Sequence, residues 1–451
     1  MTWKAKWRTT EWGRWLVRRR QAQWEKAMFR KGKRALESLL EQADAPVLTY
    51  VVPYDIHRLR TGGGKRIVGV AGGLAGEYAV FILTLAPSSV PFHIRAIGER
   101  VWLVSVPQSL AFEAAVKRTS ASSAGLAALS QFGSTLSEWV QTLRLVASYT
   151  RIWVHVSPMH WGFMEKTLGL AGSRVVYDAH DDALHFWTSV LACRDPDAVN
   201  ELACRERDLL ACAESVFFCT QEDLDAVKKR SSSGLDSHWF VLPNGVSLAD
   251  IPFIPPSHAM ANRRAAGREK PIILFMGTAY GPNYDAVEWL IREAVPRIQD
   301  VEWMIVGMSK ENYLSCGKQP PPSNMIFTGS VSEEQKTDLF SLAEIAVAPP
   351  IPGTGSSLKV PEYVAYGKAI AGAPSGMRGY GEFNVFSSVR VAEDLVPVLQ
   401  QMLEELKQNP TALDDACLAA RRRLDQTWDW MKLVQPLRAA LAGAASMHVQ
   451  S

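Results

Sequence analysis

The chain has 451 residues, more than one ordinary hydrophobic core accommodates, so two or three domains are expected. Hydrophobic residues make up 47% and charged residues 21%, which is the composition of a soluble globular protein. The net charge of +3 excludes a strongly basic or acidic chain, and no apolar run reaches the length of a bilayer-spanning helix.

The cysteines form neither a CxxC pair nor a Cys/His cluster at zinc-ligand spacing; they are Cys193, Cys204, Cys212, Cys219, Cys316 and Cys417. They indicate free buried thiols in a reducing compartment. The N-terminus lacks the apolar core and the small-residue cleavage site of a secretory signal. The sequence therefore predicts a cytoplasmic protein.

Residues 1–45 form a basic segment rich in tryptophan, in which the first 34 residues hold twelve Lys and Arg against Glu11 and Glu25. Apolar residues recur at helical spacing, namely Trp3, Trp7, Trp12, Trp15, Leu16, Trp24, Met28, Leu36, Leu39 and Leu40. Two interpretations stay open: a helix lying on an anionic membrane, or a helix packed on the protein itself. A nucleic-acid arm is disfavoured because the rest of the chain has no basic stripe.

A first α/β domain is predicted at 46–250, with strands at 47–53, 78–84, 101–106, 151–156, 174–182, 215–220 and 239–242. After the first strand, Gly62, Gly63 and Gly64 predict a glycine loop ahead of a helix from Ile67 to Glu77. This unit is doubly wound in style, although it lacks the GxGxxG dinucleotide fingerprint. The Ser-, Ala- and Gly-rich residues 119–135 predict a connection.

The second half repeats the alternation of strands and helices. Residues 251–270, with several prolines and a basic run, are predicted to be a linker. A second α/β domain is predicted at 271–425, and a last helix within 426–451.

The stretch Gly353–Glu362 (G-T-G-S-S-L-K-V-P-E) follows an apolar run that predicts a strand, and it precedes a helix predicted from Tyr363. Strand, glycine-rich turn and helix together build anion sites in open α/β sheets. Lys359 adds a positive charge, and Glu362 could accept hydrogen bonds from ribose hydroxyls. The alternative is a tight turn whose charged side chains are only solvated.

This stretch resembles the donor-nucleotide loop of GT-B glycosyltransferases, particularly the large retaining family four. Four further motifs match that family: P-N-G-V at 243–246, F-M-G-T-A-Y-G-P-N at 275–283, W-M-I-V-G at 303–307 and I-F-T-G-S-V at 326–331. The resemblance implies an α/β protein of GT-B fold, with two doubly wound Rossmann-like domains facing across a cleft and a basic helical N-terminal extension. The N-terminal domain would face the acceptor, the C-terminal domain would bind the nucleotide sugar, and the last helix would cross back to the N-terminal domain.

The resemblance also implies the site residues. Those that would bind the donor are Gly277, Tyr280, Asn283, Gly329, Pro349, Gly353, Thr354, Gly355, Ser356, Lys359 and Glu362. Glu362 would hold the ribose, while Gly329 and Pro349 would frame the base pocket. The glycines at 62–64 would lie near the diphosphate and the acceptor, or else form a simple turn.

His180, at the end of a predicted strand, resembles the catalytic His that family members place over the donor sugar; the alternative is a structural His. Asn283 has a helix cap as its alternative. His155 and His160 are expected to be structural.

Such enzymes stabilise the leaving diphosphate with amides and cationic side chains, so neither a metal nor another cofactor is expected. The pairs Asp195/Asp197 and Asp223/Asp225 have the residue pattern of the Asp-x-Asp metal motif, but neither pair directly follows an apolar strand. Two departures from the family stand out. Thr354 occupies the place of an acidic residue, and 277–283 lacks the usual Arg and Lys.

The resemblance thus implies a hexosyltransferase of polysaccharide biosynthesis that is metal-independent and retaining. It would move a hexose-like sugar from a nucleotide-diphosphate sugar to a glycan or lipid-linked acceptor, in the cytoplasm or at the inner face of the membrane. The alternatives are a catalytically degenerate GT-B protein that binds nucleotide sugar, membrane or a partner, and a GT-B sugar-nucleotide epimerase. A phosphorylase is disfavoured because no lysine-bound cofactor site is evident, and no nucleic-acid partner is expected.

Overall fold

The computed structural model describes residues 11–57, 59, 62–110, 112–113, 136–169, 173–190, 195–231, 239–249, 251–384 and 389–448. The predicted connection at 119–135 lies outside these residues, as do Trp3 and Trp7. The side chains of Trp12, Trp15, Leu16, Trp24 and His160 also lie outside the description.

The chain divides into two compact units. The first comprises residues 1–179, 193–216 and 233–238, and the second comprises residues 180–192, 217–232 and 239–451. None of the described helices is both long and apolar enough to cross a bilayer.

The first part of the chain builds a parallel sheet with one antiparallel edge strand. Its strands are β1 Val47–Val52, β2 Ala79–Ala86, β3 His93–Gly98, β4 Val101–Pro107, β5 Thr150–His155, β6 Arg174–Ala179, β7 Ser215–Phe218 and β8 Trp239–Val241. The helices are α1 Glu11–Glu41, α2 Gly62–Leu74, α3 Ser137–Ala147, α4 Trp161–Leu168, α5 Pro196–Cys212 and α6 Gln221–Arg230. In the described residues the strand order is β3-β4-β2-β1-β5-β6-β7-β8.

Every residue of β1 and β2 is buried, as expected of central parallel strands covered on both faces. Strand β3 was missed by the sequence prediction. It pairs antiparallel with β4 at the sheet edge, and its residues are half-buried or exposed. An edge strand of this kind lacks the continuous apolar run by which buried strands are recognised.

The prediction of a loop at Gly62–Gly64 was wrong. These glycines begin α2, five residues before the predicted helix start at Ile67. Gly64 is buried together with Arg66 and Ile67, so the glycines form a close-packed first turn rather than an open loop. Arg66 donates from Nε to Asp178 Oδ1 at 2.7 Å, and this fully buried ion pair ties α2 to the end of β6.

Helix α1 packs on the first unit through its C-terminal half. Phe29, Leu36 and Leu40 are buried, and the Phe29 ring lies 5.4 Å from the ring of Phe92. For this half, the interpretation of a helix packed on the protein is confirmed. Its other side remains exposed and carries Lys26, Arg30 and Arg34.

The second part of the chain builds a fully parallel sheet of β9 Ile272–Met276, β10 Glu302–Val306, β11 Met325–Phe327, β12 Ile345–Ala348 and β13 Ala369–Gly372. The described helices are α7 Pro256–Ala265, α8 Gly281–Trp289, α9 Lys310–Ser315, α10 Glu333–Leu342, α11 Lys359–Ala365, α12 Leu395–Gln408, α13 Pro410–Thr427, α14 Trp430–Leu433 and α15 Gln435–His448. Hydrophobic clusters cover both faces of this sheet.

The strand order of this sheet is β11-β10-β9-β12-β13. Successive strands run outward in one direction from β9 to β11, and the next strand, β12, returns to the other side of β9. The direction of winding therefore reverses between β9 and β12. In doubly wound sheets, ligands bind outside the carboxyl ends of the strands at this reversal.

Helix α11 begins at Lys359, four residues before the predicted start at Tyr363. Pro361 lies in its first turn, where a missing N–H costs no hydrogen bond. The helix ends at Ala365 and is followed by Gly367 with φ of 74°, a conformation that favours glycine. Lys359 and Glu362 therefore lie on the helix itself rather than on the loop before it.

The range predicted as a linker contains helix α7, whose Arg263 is buried against Glu344. Arg263 Nε donates to Glu344 Oε1 at 2.6 Å, and the Ile272 amide donates to the other oxygen at 2.8 Å. One carboxylate thereby anchors α7 to the start of β9. Burial raises the pKa of Glu344, although the Ile272 amide and Arg263 oppose that shift.

We expect Glu344→Ala to lower the free energy of unfolding by about 3–5 kcal/mol, because it leaves the Arg263 charge buried without its partner. The exposed pair Lys407–Glu404 provides a control, and Glu404→Ala should change stability by less than about 1 kcal/mol. Equilibrium urea unfolding followed by circular dichroism measures both. Equal effects of the two substitutions would contradict the anchoring role.

Candidate functional site

The segment that follows β12 lies at the reversal point of the second sheet and contains the glycine-rich loop, Gly353–Leu358. Gly353 and Gly355 have φ of 124° and 73°, so the loop uses backbone conformations that side chains rarely permit. A Cβ on Gly355 would lie 3.0 Å from the carbonyl oxygen of His180. The loop therefore runs directly against the His180 backbone.

Asp223 also holds the loop in place. The Gly355 amide donates to Asp223 Oδ2 at 3.1 Å, and the Thr220 hydroxyl donates to the same oxygen at 2.6 Å. Burial raises the pKa of Asp223, while the Thr220 hydroxyl and the amides of Gly355 and Asp182 oppose that shift. Asp223 thus serves the loop, and Asp195 is the N-cap of α5, which gives both Asp-x-Asp pairs structural uses.

Arg378 holds the loop with three hydrogen bonds to backbone carbonyls. Nε donates to Gly355 at 3.0 Å, Nη1 to Ile351 at 3.1 Å and Nη2 to Thr354 at 3.2 Å. The Arg378 carbonyl in turn accepts from the Ser357 amide at 3.0 Å. A planar guanidinium can satisfy several carbonyls at fixed angles, which a lysine cannot do.

Lys359 carries the positive charge expected of an anion site. Its Nζ donates to Asn283 Oδ1 at 3.1 Å and lies 4.5 Å from the centroid of the Phe275 ring. Burial of the ammonium group, followed by the charge of Arg378, lowers the pKa of Lys359 to about 7. The described surroundings supply no carboxylate to this ammonium, so an incoming anion would meet a cation without a counterion.

Asn283 connects the ends of β9 and β12. Its Nδ2 donates to the Thr278 carbonyl at 3.0 Å while Oδ1 accepts from Lys359. The N-cap of α8 is Tyr280, so the helix-cap alternative for Asn283 was wrong. Tyr280 itself is 41% exposed, and burial of its hydroxyl and the nearby Asp181 raise its pKa.

Three glycines lie side by side at the ends of β9, β10 and β11. The Gly307 amide donates to the Gly329 carbonyl at 3.1 Å, and the Gly277 amide donates to Val306 at 2.8 Å. A Cβ on Gly307 would lie 3.1 Å from the Gly277 carbonyl, and a Cβ on Gly277 would lie 2.8 Å from the Asn283 side chain. Side chains larger than hydrogen would therefore displace Asn283 and the strand ends.

Glu362 lies on the first turn of α11 and is 7% exposed. Its Oε2 accepts from Lys336 Nζ at 3.2 Å, and Lys336 also pairs with Glu333 at 2.5 Å. Burial acts to lower the pKa of Lys336, but the Glu362 and Glu333 carboxylates raise it overall. Lys336 is therefore a charged group against a buried carboxylate.

The remaining predicted residues have distinct surroundings. Ser356 Oγ accepts from Asn244 Nδ2 at 2.6 Å, and Pro349 is buried directly after β12. The Thr354 hydroxyl is buried and finds no hydrogen-bond partner among the described residues. Gly62–Gly64 belong to the first unit and are described with it.

His155 is fully buried with its ring edge-on to Trp161 at 5.0 Å, and burial lowers its pKa to about 3. This neutral core histidine agrees with the structural role expected for it. In the described part of the chain, no three His, Cys, Asp or Glu side chains form a group that could hold a metal ion.

The structure thus places the His180 backbone against Gly355 and, separately, joins Lys359 to Asn283 by a hydrogen bond. Two residues had no sequence prediction: Arg378, which bonds the loop carbonyls, and Lys336, which pairs with Glu362. The only local signal for Arg378 was its position in a turn with Gly376, Gly379 and Gly381 after β13. Lys336 had no such signal, because it lies mid-helix.

No protein-family model and no curated protein matches this sequence. Among solved structures, sucrose-phosphate synthase from Thermosynechococcus elongatus matches with a TM-score of 0.64 at 14% identity, covering 89% of this chain and 100% of that chain. Anabaena HepE in complex with UDP and glucose matches with a TM-score of 0.62 at 11% identity, covering 89% and 100%. These structures are GT-B glycosyltransferases.

The chain has the GT-B fold. An α,α-trehalose 6-phosphate synthase from Burkholderia multivorans agrees, with a TM-score of 0.55 at 12% identity, covering 90% of this chain and 99% of that chain. The prediction of two Rossmann-like α/β domains is confirmed.

We expect Gly355→Ala to lower the free energy of unfolding by about 2–4 kcal/mol, because it combines a left-handed backbone with a close contact to His180. Two glycines separate these causes. Gly267 has φ of 74° and open space around it, so Gly267→Ala should cost only about 1–2 kcal/mol.

Gly281 has open space and no left-handed backbone, so Gly281→Ala should be neutral or slightly stabilising. Urea unfolding of the three variants gives the order. A Gly355→Ala protein that loses no more stability than Gly267→Ala would show that the loop does not press on His180.

Proposed function

We propose that this chain is a family-four-type glycosyltransferase that moves a hexose-like sugar from a nucleoside-diphosphate sugar to a glycan or lipid-linked acceptor. The observation that carries the proposal is Lys359, a partly buried cation at the reversal point of the second sheet, beside a glycine loop held open by Arg378. An anion at this position gains the charge of Lys359 and the backbone approach that glycine permits. The HepE complexes with UDP and glucose and with UDP-glucose support the choice of ligand class.

In the proposed reaction, negative charge develops on the leaving diphosphate as the bond to the sugar breaks. Lys359 would stabilise that charge, and Asn283 would keep the ammonium in position. Glu362 would accept hydrogen bonds from the ribose, and His180 would approach the transferred sugar. This division of roles needs no metal ion, and retention of the anomeric configuration follows from the resemblance to family four.

A second candidate is a GT-B protein that binds nucleotide sugar without turning it over. Thr354, in place of an acidic residue, favours this alternative because a hydroxyl holds a sugar hydroxyl less strongly than a carboxylate does. Release of free sugar or transfer product from a bound donor would separate the two candidates.

We expect one nucleoside diphosphate among UDP, GDP and ADP to bind with an affinity that EDTA leaves unchanged. Lys359→Met should weaken that binding about 10- to 100-fold, the worth of a hydrogen bond to a charged group. Calorimetry and thermal shift measure both effects. Lys310→Met, at an exposed lysine, should leave binding unchanged, and an unaffected Lys359→Met protein would overturn the assignment.

The affinity for the diphosphate should fall as the pH rises from 6.5 to 9. With a pKa of about 7, Lys359 loses its proton in the free protein over this range, whereas the bound anion favours the ammonium. Binding then requires uptake of a proton by Lys359, so the affinity falls as the pH rises above about 7. Calorimetry in buffers of different ionisation enthalpy detects that uptake, which should vanish in Lys359→Met. Equal pH profiles of the two proteins would contradict this role.

We further propose that the protein acts in the cytoplasm, in polysaccharide biosynthesis, and that α1 binds the anionic inner surface of the membrane. Lys26, Arg30 and Arg34 are exposed at intervals of four residues, so they lie on one side of the helix. Free thiols at Cys204, Cys212, Cys219, Cys316 and Cys417 support a reducing compartment. The expectation that the thiols are buried was wrong for Cys204, Cys212 and Cys316, which are exposed.

Replacing Lys26, Arg30 and Arg34 by Glu should weaken binding to phosphatidylserine vesicles roughly a hundredfold or more, since each basic residue contributes about 1 kcal/mol. Vesicle co-sedimentation measures this effect. Substitution is preferable to deletion because Phe29, Leu36 and Leu40 belong to the core. The same charge change at exposed Lys407, Arg422 and Arg423 is the control. Equal binding of both triple variants would contradict the membrane role of α1.

A further inference from the structure

The proposed ribose-binding residue, Glu362, is held by a lysine from a different helix. Lys336 lies on α10, which begins with a capping box formed by Ser332 and Gln335. One helical turn after the N-cap, Lys336 extends its ammonium to Glu362 Oε2 at 3.2 Å. Both residues are 7% exposed, so the contact lies in the protein interior.

Two further contacts join the same pair of helices. Thr337 Oγ1 and the Tyr366 hydroxyl are 2.9 Å apart, and the Phe340 ring stacks on Tyr366 at 4.3 Å. Neither contact touches Glu362. The α10–α11 packing therefore has supports of its own, and an ionic contact that removes two charges from water is a costly way to add one more.

The position of the Lys336–Glu362 ion pair suggests what its desolvation cost achieves. Glu362 lies one helical turn after Lys359, and Tyr363, next to it, accepts a hydrogen bond from the Met276 amide at 2.8 Å at the end of β9. The helix that carries Glu362 is thereby joined to the β9 end, one turn after the anion loop. An ionised carboxylate accepts hydrogen bonds from two neighbouring hydroxyls with both oxygens, whereas a protonated acid uses one of its oxygens as a donor.

We propose that Lys336 is a positioning residue for ribose recognition: it holds the Glu362 carboxylate ionised and oriented toward the 2′- and 3′-hydroxyls of the bound nucleotide. This inference rests on the proposed function and explains how the site would recognise ribose. The raised pKa of Lys336 agrees with it, because this role requires a permanent positive charge.

The test compares each ribonucleoside diphosphate that binds, UDP, GDP or ADP, with its 2′,3′-dideoxy counterpart. The wild-type protein should prefer the ribose form at least tenfold. In Lys336→Met that preference should fall to less than threefold, as it should in Glu362→Gln, while the affinity for the dideoxy form changes little. Lys336→Arg, which keeps the charge, should retain most of the preference.

Thr337→Val is the matched control, because it removes the other polar contact between α10 and α11 and leaves Lys336 in place. It should lower the melting temperature without changing the ribose preference. The double variant Lys336→Met/Glu362→Gln should show no smaller preference than either single variant, since the two residues act as one unit. The preference is a ratio within one protein, so partial unfolding does not alter it. Lys336→Gln, which also removes the charge, replaces Lys336→Met if that variant does not fold, and it should show the same loss of preference.

The outcomes separate the two levels of the proposal. If Glu362→Gln loses the preference and Lys336→Met keeps it, the positioning role is wrong and the nucleotide site stands. Retention of the preference by Glu362→Gln would remove the ribose role of Glu362 and, with it, that of Lys336. If the wild-type protein binds none of the diphosphates, the proposed function itself is overturned.

Discussion

The loop Gly353–Leu358 keeps its shape because one side chain, Arg378, supplies hydrogen bonds to the carbonyls of Ile351, Thr354 and Gly355. A glycine-rich loop has no side chains with which to fix itself, and its backbone loses more entropy on ordering than other residues do. Three donors from one planar group offset that loss, and Asp223 accepts a further hydrogen bond from the Gly355 amide. The position of the following helix, and of Lys359 on it, depends on this pair of supports.

Arg378 also shapes the electrostatics of the site. It places a second positive charge near Lys359, and together with burial it lowers the pKa of that lysine to about 7. A cation in this state is costly to the empty protein and is stabilised when an anion arrives. Burial of Lys359 and, after it, the charge of Arg378 therefore make the affinity for anions depend on pH.

Sequence reasoning located the buried strands and the glycine loop because both leave local signals: apolar runs and glycine where the backbone turns. It missed the edge strand β3, whose residues are half-buried or exposed, and it placed the start of α11 at Tyr363, four residues too late. Arg378 and Lys336 could not be found this way. Each meets its partner only after an intervening strand or helix has crossed the sheet, and no spacing along the chain records that meeting.

The two departures from the family pattern have different physical meanings. The missing Arg and Lys after β9 remove cations from that strand end, where Lys359 places its ammonium beside Asn283 and the Phe275 ring. A cation from α11 is thus present at the β9 end. Thr354 has no such counterpart: its hydroxyl is buried without a hydrogen-bond partner among the described residues, and a buried polar atom of this kind costs about 1–3 kcal/mol. A ligand group that bonded to this hydroxyl would recover that free energy, so the substitution changes which group the loop can hold rather than removing a contact point from it.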